Sequence, residues 1–593
     1  MSEGFNAAPA TGKAGYNRFL LLVAGLGGLL YGVDVGIIAG ALPYLEATSK
    51  LNAGQLSFIV AAVLLGSVIS TLFAGVMADW LGRKKMMAVS GVLFVISIPM
   101  IALAQGYWPL VFGRLLQGVS AGLIGVVIPL YLAECLSASA RGKGTGIFQW
   151  LLTLGIVAAA VIGLYFSARV DEVARLGDAA KLFAFKDSAW RGIFWVSLPP
   201  GILFVMGSLM VAESPRWLFR RGKSEAARAA LLRSRSEAQA EVELKEMGDL
   251  LAAENAKSAG AKVRESLLRR KYIIPFALAC VILACNQLTG VNSIIGYNAT
   301  ILIQAGLGDK QAHSGYLILT LVNFLMTIGA VVLVDRKGRK FLLSLGSAGV
   351  ILSLICAGTI FRRTETLRVD CKDALQLLVA TNQTLTLDFN AATVSNLPAA
   401  RRFSGQPTTL IVIYSYGDFR AATRVVRSDE VAAKPVEIAR ADCLPPNKVV
   451  AFFSNPFADL DAGRTAPLKI ENALITPVPD THSGWLVATC LFVFMAFFAV
   501  GPGVCVWLAL SELMPTRIRS NGMSIALLIN QAVSTTIAAV FLPTVGTYGY
   551  STMFFVFAGC TVIYFITAAF FLPETKGKTL EEIEAHFEGQ KKS

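Results

Sequence analysis

Residues 75–85 read GVMADWLGRKK and end one long apolar run, while residues 334–340 read VDRKGRK and end another in the second half of the chain. Each copy places an acid at the end of the run, then a glycine, then two or three cations. This order is typical of a membrane helix that passes into a basic loop. Because the pattern occurs twice, it predicts a duplicated helical unit with basic loops on one side, as in a two-lobed transporter.

The composition indicates a membrane protein. The 593 residues are 55% hydrophobic and only 16% charged, with a mean hydropathy of +0.60, which is more apolar sequence than a soluble core buries. Crossing the hydrocarbon core of a bilayer takes about 20 apolar residues as helix. Twelve such spans are predicted, near residues 17–43, 56–78, 87–105, 109–132, 144–167, 191–212, 272–303, 316–334, 341–361, 485–511, 523–543 and 551–572.

The charges of the short loops predict the orientation. Cations concentrate on one side of the predicted spans, whereas the opposite loops 105–108 and 544–550 carry none. By the positive-inside rule the basic side is cytoplasmic, together with the tails 1–16 and 574–593. The net charge of +14 therefore reflects topology, and nucleic acid is not an expected partner. Tail 1–16 is polar and contains no cleaved signal pattern.

Two segments separate the predicted spans into units. Residues 216–270 have helical periodicity without a membrane-length apolar run, so a cytoplasmic helical linker is expected between a six-helix bundle at 17–215 and a second one at 271–361 and 484–573. Residues 362–483 contain β-rich runs at 384–389, 409–414 and 449–453 and predict a small extracytoplasmic β-rich insert. Its Cys371 and Cys443 leave a disulfide open as one alternative.

Further charged motifs repeat in the same order in both halves. Glu134 precedes Arg141, as Glu512 precedes Arg519, and residues 213–216 (ESPR) end the sixth span where residues 573–577 (PETKG) end the twelfth. With these motifs the chain resembles the sugar porter family of the major facilitator superfamily, which includes bacterial proton-coupled xylose, galactose and inositol symporters and animal glucose facilitators. The resemblance covers the chain except the insert. It implies an all-α integral membrane fold of twelve transmembrane helices in two pseudo-symmetric six-helix bundles.

The resemblance implies that the cytoplasmic charges form a gate. In the family such charges latch the two halves together and favour the outward-open state. The alternative is that they only fix topology and helix ends. The candidate residues are Asp79, Arg83, Glu134, Arg141, Glu213, Asp335, Arg339, Glu512, Arg519 and Glu574.

Asp34 is the candidate proton-coupling residue. It lies inside the apolar run 29–38, where a carboxylate is costly unless it is paired, protonated or hydrated. Its expected partner is Arg114, the other charge within the membrane in this half. Burial disfavours the ionised carboxylate and a guanidinium favours it, so a change in their separation would load and release a proton. A permanent structural ion pair is the alternative.

Amide side chains within the spans suggest a ligand rich in hydroxyl groups. Amides both donate and accept hydrogen bonds, as hydroxyls do, and cost less to bury than charges; aromatic rings stack on sugar faces. The alternative role for such amides is hydrogen bonding between helices. The candidates are Gln149, Asn286, Gln287, Asn292, Asn323 and Asn530, with Tyr31, Tyr297 and Trp507 as aromatic partners.

The family resemblance maps sugar contacts onto Gln149, Gln287, Asn292, Asn323 and Trp507. Departures from the family pattern put the identity of the sugar in doubt more than its class. They are Asn286 in place of Gln, Ile156 in place of a second Gln, Gly296 in place of a gating Tyr, and Gln531 in place of a Trp.

The sequence thus predicts a secondary active transporter that imports a monosaccharide or cyclic polyol with protons by alternating access. The expected protein is a monomer in a bacterial inner membrane, with the proton as coupling ion and no cofactor or metal. Alternatives are a passive facilitator, a non-transporting sugar sensor and a drug/proton antiporter. An enzyme is least supported, since the chain has three His and no nucleophile or phosphate-binding motif.

Overall fold

The computed structural model describes residues 14–136, 138–259, 270–429, 435–445, 447–448, 450–451, 455–506, 513–514, 518–574 and 587. In this part of the chain, twelve helical segments are long and apolar enough to cross a bilayer. The predicted number of spans is confirmed. The largest difference at a span end is in the sixth, which begins at Ala179 rather than near residue 191.

The first half contains seven helices that form six spans, because a break at Val196 and Ser197 divides the sixth. Pro199 and Pro200 follow the break in the first turn of the next helix, where the missing backbone N–H of proline costs no helical hydrogen bond. The helices are α1 (Ala14–Thr48), α2 (Ala53–Leu81), α3 (Arg83–Ala102), α4 (Tyr107–Cys135), α5 (Ala138–Ala174), α6 (Ala179–Trp195) and α7 (Leu198–Met210).

Three helices of the linker follow: α8 (Pro215–Arg220), α9 (Ser224–Leu232) and α10 (Glu237–Ala259). Arg235 fastens them to the first half. Its Nη2 donates to the Cys135 carbonyl at 3.1 Å, and its Nε lies 2.6 Å from Glu243.

The second half begins with α11 (Arg270–Leu288), α12 (Val291–Gly296), α13 (Asn298–Gln304), α14 (Asp309–Lys337) and α15 (Arg339–Glu365). The continuous helix expected over 272–303 is wrong, because it is broken into three pieces. Gly290 adopts a left-handed conformation with φ +82°, which glycine reaches without strain. A second break follows at Tyr297.

The insert is built on an antiparallel sheet in the order β1-β7-β3-β4, with β5 also paired to β3, and β2 pairs separately with β6. The strands are β1 (Val369–Asp370), β2 (Leu385–Leu387), β3 (Thr408–Tyr416), β4 (Phe419–Ala422), β5 (Val426–Arg427), β6 (Val436–Ile438) and β7 (Leu468–Pro477). Short helices α16 (Lys372–Gln376), α17 (Ala391–Asn396) and α18 (Leu460–Thr465) complete it. The predicted β-rich insert is confirmed.

One expectation for the insert is wrong, and of the two alternatives for its cysteines the structure has free thiols. The predicted β-run at 449–453 is helical at its described residues Val450 and Ala451. The disulfide is not formed: both thiols are free. Cys371 is buried in the insert core, and the Cys443 Sγ donates to the Phe419 carbonyl at 3.2 Å.

The chain returns to the bundle with α19 (Thr481–Phe498), α20 (Arg519–Tyr548) and α21 (Tyr550–Ile566). A wider π-helical turn, Ala499–Gly503, continues α19 around Pro502, and a similar turn, Thr567–Phe571, continues α21. Because proline cannot donate the regular helical hydrogen bond, it bends the tenth span.

The apolar core divides unevenly between the two ends of the bundle. We call the end that contains Gly82 and Gly338 the motif face, and the end covered by the insert the insert face. Toward the insert face one core joins both halves, with Ile37 and Leu56 packed in the same cluster as Ile301 and Phe541. Toward the motif face the described residues form two cores, one in each half.

Candidate substrate and proton sites

Three amides converge where α11, α12 and α20 meet. The Gln287 Nε2 donates to the Asn530 Oδ1 at 3.3 Å, and the Asn292 Nδ2 donates to the Gln287 Oε1 at 2.9 Å. Asn292 also donates to the Ser534 Oγ at 2.7 Å. The break at Gly290 lets Gln287 and Asn292, on two different helices, face the same point. We call Gln287, Asn292, Asn530 and Ser534 the amide cluster.

Asn286 lies beside this cluster but is directed toward the backbone. Its Nδ2 donates to the Pro502 carbonyl at 3.1 Å, and its Oδ1 accepts from Gln287 at 3.4 Å. This contact ties α11 to the bent tenth span, which fits the alternative role of hydrogen bonding between helices. Asn530 also makes such a contact, to the Leu283 carbonyl at 3.0 Å.

Gln149 on α5 and Asn323 on α14 belong to two helices that meet between the halves. Gln149 is exposed and Asn323 is half-buried. Each immediately precedes an aromatic residue, and these two rings, Trp150 on α5 and Phe324 on α14, pack with their centroids 5.8 Å apart. The structure therefore brings α5 and α14 together beside both predicted sugar-contacting amides.

The predicted aromatic partners lie away from the amide cluster or outside the described residues. Tyr31 is half-buried and packs against the motif-face core of the first half. Tyr297 is fully buried; its OH donates to the Ala538 carbonyl at 3.0 Å, and its ring stacks on Phe541 at 4.6 Å. Trp507 lies outside the described residues.

Asp34 and Arg114 form the buried pair that the sequence predicts. Their side chains are 1% and 2% exposed, and the Arg114 Nη1 lies 3.7 Å from the Asp34 Oδ1. This distance is within the range of an ion pair but too long for a hydrogen bond. Among the residues that the structure describes, neither carboxylate oxygen of Asp34 has a hydrogen-bond partner. The carboxyl group is therefore held near a cation with its oxygens available to a proton.

Sequence reasoning missed the residues that position Arg114. The Arg114 Nη1 donates to the Gln117 Oε1 at 2.6 Å, and its guanidinium lies 5.7 Å from the centre of the Phe194 ring. Gln117 is three residues after Arg114 on the same helix, so the spacing of one helical turn could have identified it. No comparable sequence signal marks Phe194, because it lies on α6.

At the motif face of the first half, the predicted charges form one cluster. The Arg83 Nη2 lies 2.8 Å from both Asp79 and Glu134, while Ser214 donates to the other oxygen of Glu134. Glu213 accepts from the backbone N–H groups of Arg83 at 2.9 Å and Lys84 at 3.0 Å. A carboxylate at this position satisfies free donors at the start of α3.

The second half repeats the backbone part of this arrangement. Gly338 has φ +88° and Gly82 has φ +98°, a region that strains other residues. Glu574 accepts from the N–H groups of Arg339 at 3.1 Å and Lys340 at 3.2 Å.

The predicted latch between the halves stays a prediction. The ion pairs of Arg83 and the backbone hydrogen bonds to Glu213 and Glu574 lie within one half. The side chains of four candidates lie outside the described part of the chain: Arg141, Asp335, Glu512 and Arg519.

The structure shows the surroundings of two residues that depart from the family pattern, Gly296 and Ile156. A Cβ at Gly296 would lie at ordinary van der Waals distance from Val60 and Ile38, so this position of α12 faces α1 and α2 of the first half. Ile156 is buried on α5, where an amide would need a hydrogen-bond partner.

Comparisons with known proteins give the family. The family described as "Sugar (and other) transporter" matches residues 20–376 and 472–587. The glucose transporter GlcP of Staphylococcus epidermidis is 26% identical over 96% of this chain and 97% of its own length. The arabinose-proton symporter of Bacillus subtilis is 31% identical over 58% of this chain and 71% of its own length.

A solved structure shows the same fold. It is a partially occluded inward-open conformation of the xylose transporter XylE from E. coli, with a TM-score of 0.62 and 20% identity, covering 95% of this chain and all of the other. The family match leaves out most of the insert. The chain is therefore a twelve-span integral membrane transporter of the sugar transporter family, within the major facilitator superfamily.

Proposed function

We propose that this protein imports a monosaccharide or cyclic polyol together with protons by alternating access. The amide cluster carries the proposal, because Gln287, Asn292 and Asn530 converge between membrane helices and present both donors and acceptors. A sugar hydroxyl donates and accepts at once, so it can replace the contacts that these amides make with one another. A hydrocarbon-like or cationic drug would leave them unpaired at a cost of about 1–3 kcal/mol each.

Asp34 is the proposed site of proton coupling. Its two oxygens make no hydrogen bond within the described part of the chain, although it is buried beside Arg114. Protonation would remove the negative charge that holds Arg114, and the guanidinium would then depend on Gln117 and Phe194 for its place. A proton bound at Asp34 can in this way change the packing of α1 against α4.

The division of the core supports alternating access. The halves share one core toward the insert face and have two cores toward the motif face. Transport requires the opposite arrangement as well, in which the insert-face core separates and the motif-face cores approach. The motif-face charges are proposed to hold that second state, in line with the family resemblance.

The proposed setting is a bacterial inner membrane, with the basic motif face and both tails in the cytoplasm and the insert outside. A monomer is expected, because each chain contains both halves of the transport unit. The proton is the proposed coupling ion, with no cofactor.

Ligand binding can be tested by thermal unfolding of the purified protein with pentoses, hexoses and inositols. A bound ligand raises the unfolding temperature by mass action. Gln287→Ala is expected to weaken binding about tenfold or more, since a buried hydrogen-bonding group is lost. The matched control is Gln105→Ala, an exposed loop amide. No response to any sugar or polyol, or unchanged affinity in Gln287→Ala, would contradict the proposed site.

Coupling can be tested with Asp34→Asn in proteoliposomes. We expect the variant to lose uptake driven uphill by a pH gradient, because an amide cannot take up and release a proton, while counterflow exchange continues. Asp373→Asn, an exposed carboxyl of the insert, is the control. If the wild type equilibrates sugar without responding to the gradient, the protein is a passive facilitator. Binding without any flux would identify a sensor.

A further inference from the structure

A buried histidine lies between the two halves at the insert face. His313 on α14 is 0% exposed, and its ring is parallel to that of Tyr44 on α1, with centroids 5.6 Å apart. The His313 Nε2 lies 3.2 Å from the Gly40 carbonyl oxygen of α1. The Nδ1 lies 2.9 Å from the Asp309 carbonyl oxygen of its own helix.

Both ring nitrogens thus face an acceptor. A neutral imidazole has one N–H and can donate to only one of the two carbonyls, whereas the imidazolium donates to both. In the neutral ring, the nitrogen without a proton would direct its lone pair at a buried carbonyl oxygen. Neither atom could then donate a hydrogen bond to the other, which is unfavourable in a buried site. The neutral ring can therefore make either the Gly40 contact, which joins the halves, or the Asp309 contact within α14, and it makes both together only when it is protonated.

Asp309 supplies the countercharge and extends the contact to two helices of the first half. Its Oδ1 lies 3.5 Å from the His313 Nδ1. Its Oδ2 accepts from the Tyr44 OH at 2.6 Å and from the Ser167 Oγ on α5 at 2.8 Å.

Other charged groups near the ring come from the bundle and from the insert. Asp171 on α5 interacts electrostatically with His313, Asp309, Lys310 and Arg175. Gly163 of α5 packs against the ring without a side chain. A cavity of about 290 Å³ lies beside these groups, and its charged and tyrosine lining consists of Tyr44, Glu46, Asp171, Lys186 and Asp309 of the bundle with Arg424, Arg427 and Asp429 of the insert. Because Asp309 is 24% exposed, this cavity gives a proton a route to the histidine.

We propose that His313 is a second proton site, which locks the halves together at the insert face when it is protonated and releases them when it is neutral. A proton that arrives from the insert side would then close that side behind the substrate. The proposal rests on the alternating access of the proposed function, but not on the identity of the substrate. Histidine changes charge between about pH 5 and 8, the range in which such a lock can respond.

Hydrogen–deuterium exchange of the full-length protein in lipid nanodiscs tests the lock without substrate. The readout is protection of peptides covering residues 36–48 and 309–316 at about pH 5.5 and about pH 8, corrected for the intrinsic pH dependence of exchange. We expect roughly tenfold more protection at the lower pH in the wild type, the effect of about 1.4 kcal/mol. His313→Gln should show weak protection at both pH values. His482→Gln, an exposed histidine at the same face, should behave as the wild type.

Equal protection at both pH values in the wild type, or a retained pH response in His313→Gln, would overturn the proposal. If His313→Gln does not fold, Asp309→Asn takes its place, because loss of the countercharge should remove the pH dependence of protection. A pH dependence equal to that of the wild type in Asp309→Asn would also overturn the proposal. Asp34→Asn is expected to keep the response. The two proposals can fail separately. If the protein fails the sugar and coupling tests but its protection still depends on pH through His313, the proposed function is wrong and the His313 lock stands.

Discussion

The two faces of the bundle are held together in different ways. Toward the insert face, residues from both halves share one apolar core. Toward the motif face, the described residues of each half pack among themselves. The difference indicates a conformation closed at the insert face, in which the described apolar residues at the motif face stabilise each half.

Polar contacts follow the same division. At the insert face the Tyr316 OH donates to the Gly36 carbonyl at 2.9 Å, and Asp309 binds Tyr44 and Ser167, all between the halves. At the motif face, Arg83 with Glu134 and the backbone contacts of Glu574 stay within one half. The backbone contact of Glu213 recurs at Glu574 because the halves are duplicated, whereas the contacts between the halves join unlike positions.

The largest expected effect comes from breaking the motif-face cluster with Arg83→Met. Arg83 is 3% exposed and Glu134 is 10% exposed, so the change leaves a buried carboxylate without its cation. We expect a loss of about 3 kcal/mol in stability, measured by thermal or denaturant unfolding. Arg464→Met, in an exposed pair with Asp461, is the control and should cost less than about 1 kcal/mol. An equal, small effect of both variants would contradict a structural role for the cluster.

Glu213→Gln and Glu574→Gln test whether the two motif-face clusters are independent. Each change keeps an acceptor oxygen for the N–H groups of the next helix but removes the charge that favours a helix N-terminus, so about 1 kcal/mol is expected from each. Because the observed contacts lie within separate halves, the double variant should be additive to within about 0.5 kcal/mol. Strong coupling in the unfolding free energies would instead support a latch between the halves.

The sequence predicted the features that depend on local pattern or duplication. Apolar run length identified the twelve spans, and the doubled glycine motif identified the residues that Glu213 and Glu574 bind. It also identified Asp34 with Arg114, because two isolated charges in apolar sequence need each other. It missed the break at Gly290, since an apolar run looks alike whether or not one glycine adopts a positive φ.

Contacts between the halves were less predictable. His313 and Tyr44 are separated by most of the first half, and neither repeats in the other half, so no periodicity joins them. The sequence placed Tyr297 among the sugar-binding residues, whereas the structure places its ring on Phe541 and its OH near Ser57. A tyrosine in a membrane helix suits both a sugar-binding position and a packing position between helices. The packing of Tyr297 depends on the approach of α2 to α20, which the sequence alone does not show.

Tyr316→Phe weakens the insert face without changing a charge. The variant loses the hydrogen bond to the Gly36 carbonyl, which is worth about 1 kcal/mol between neutral groups. We expect roughly fivefold less protection of residues 36–48 in hydrogen exchange, at every pH. Tyr165→Phe, on the exposed face of α5, should leave protection unchanged. If Tyr316→Phe altered the pH dependence itself, the response could not be assigned to His313 alone.

The smallest effect concerns the brace between the insert and the second half. Arg427 holds Asp429 through two hydrogen bonds of 2.9 and 2.8 Å and donates to the Ile303 carbonyl of α13 at 3.1 Å. The hydrogen bonds from Arg427 lower the pKa of Asp429, against the effect of burial. A lowered pKa means that the brace is fully stabilising above the unfolded value of about 3.9 and is lost only as the pH falls below it.

The brace should therefore not respond between about pH 8 and about pH 5.5, where His313 does. Asp429→Asn is expected to loosen residues 298–304 and 424–429 by less than about 1 kcal/mol, since the pair is partly exposed, with the exposed carboxyl variant Asp461→Asn as control. Hydrogen exchange of these peptides in the wild type should be equal at both pH values after correction. If these peptides lost protection within that pH range, the insert would contribute to the pH response of the insert face. The part of the response assigned to His313 would then be smaller.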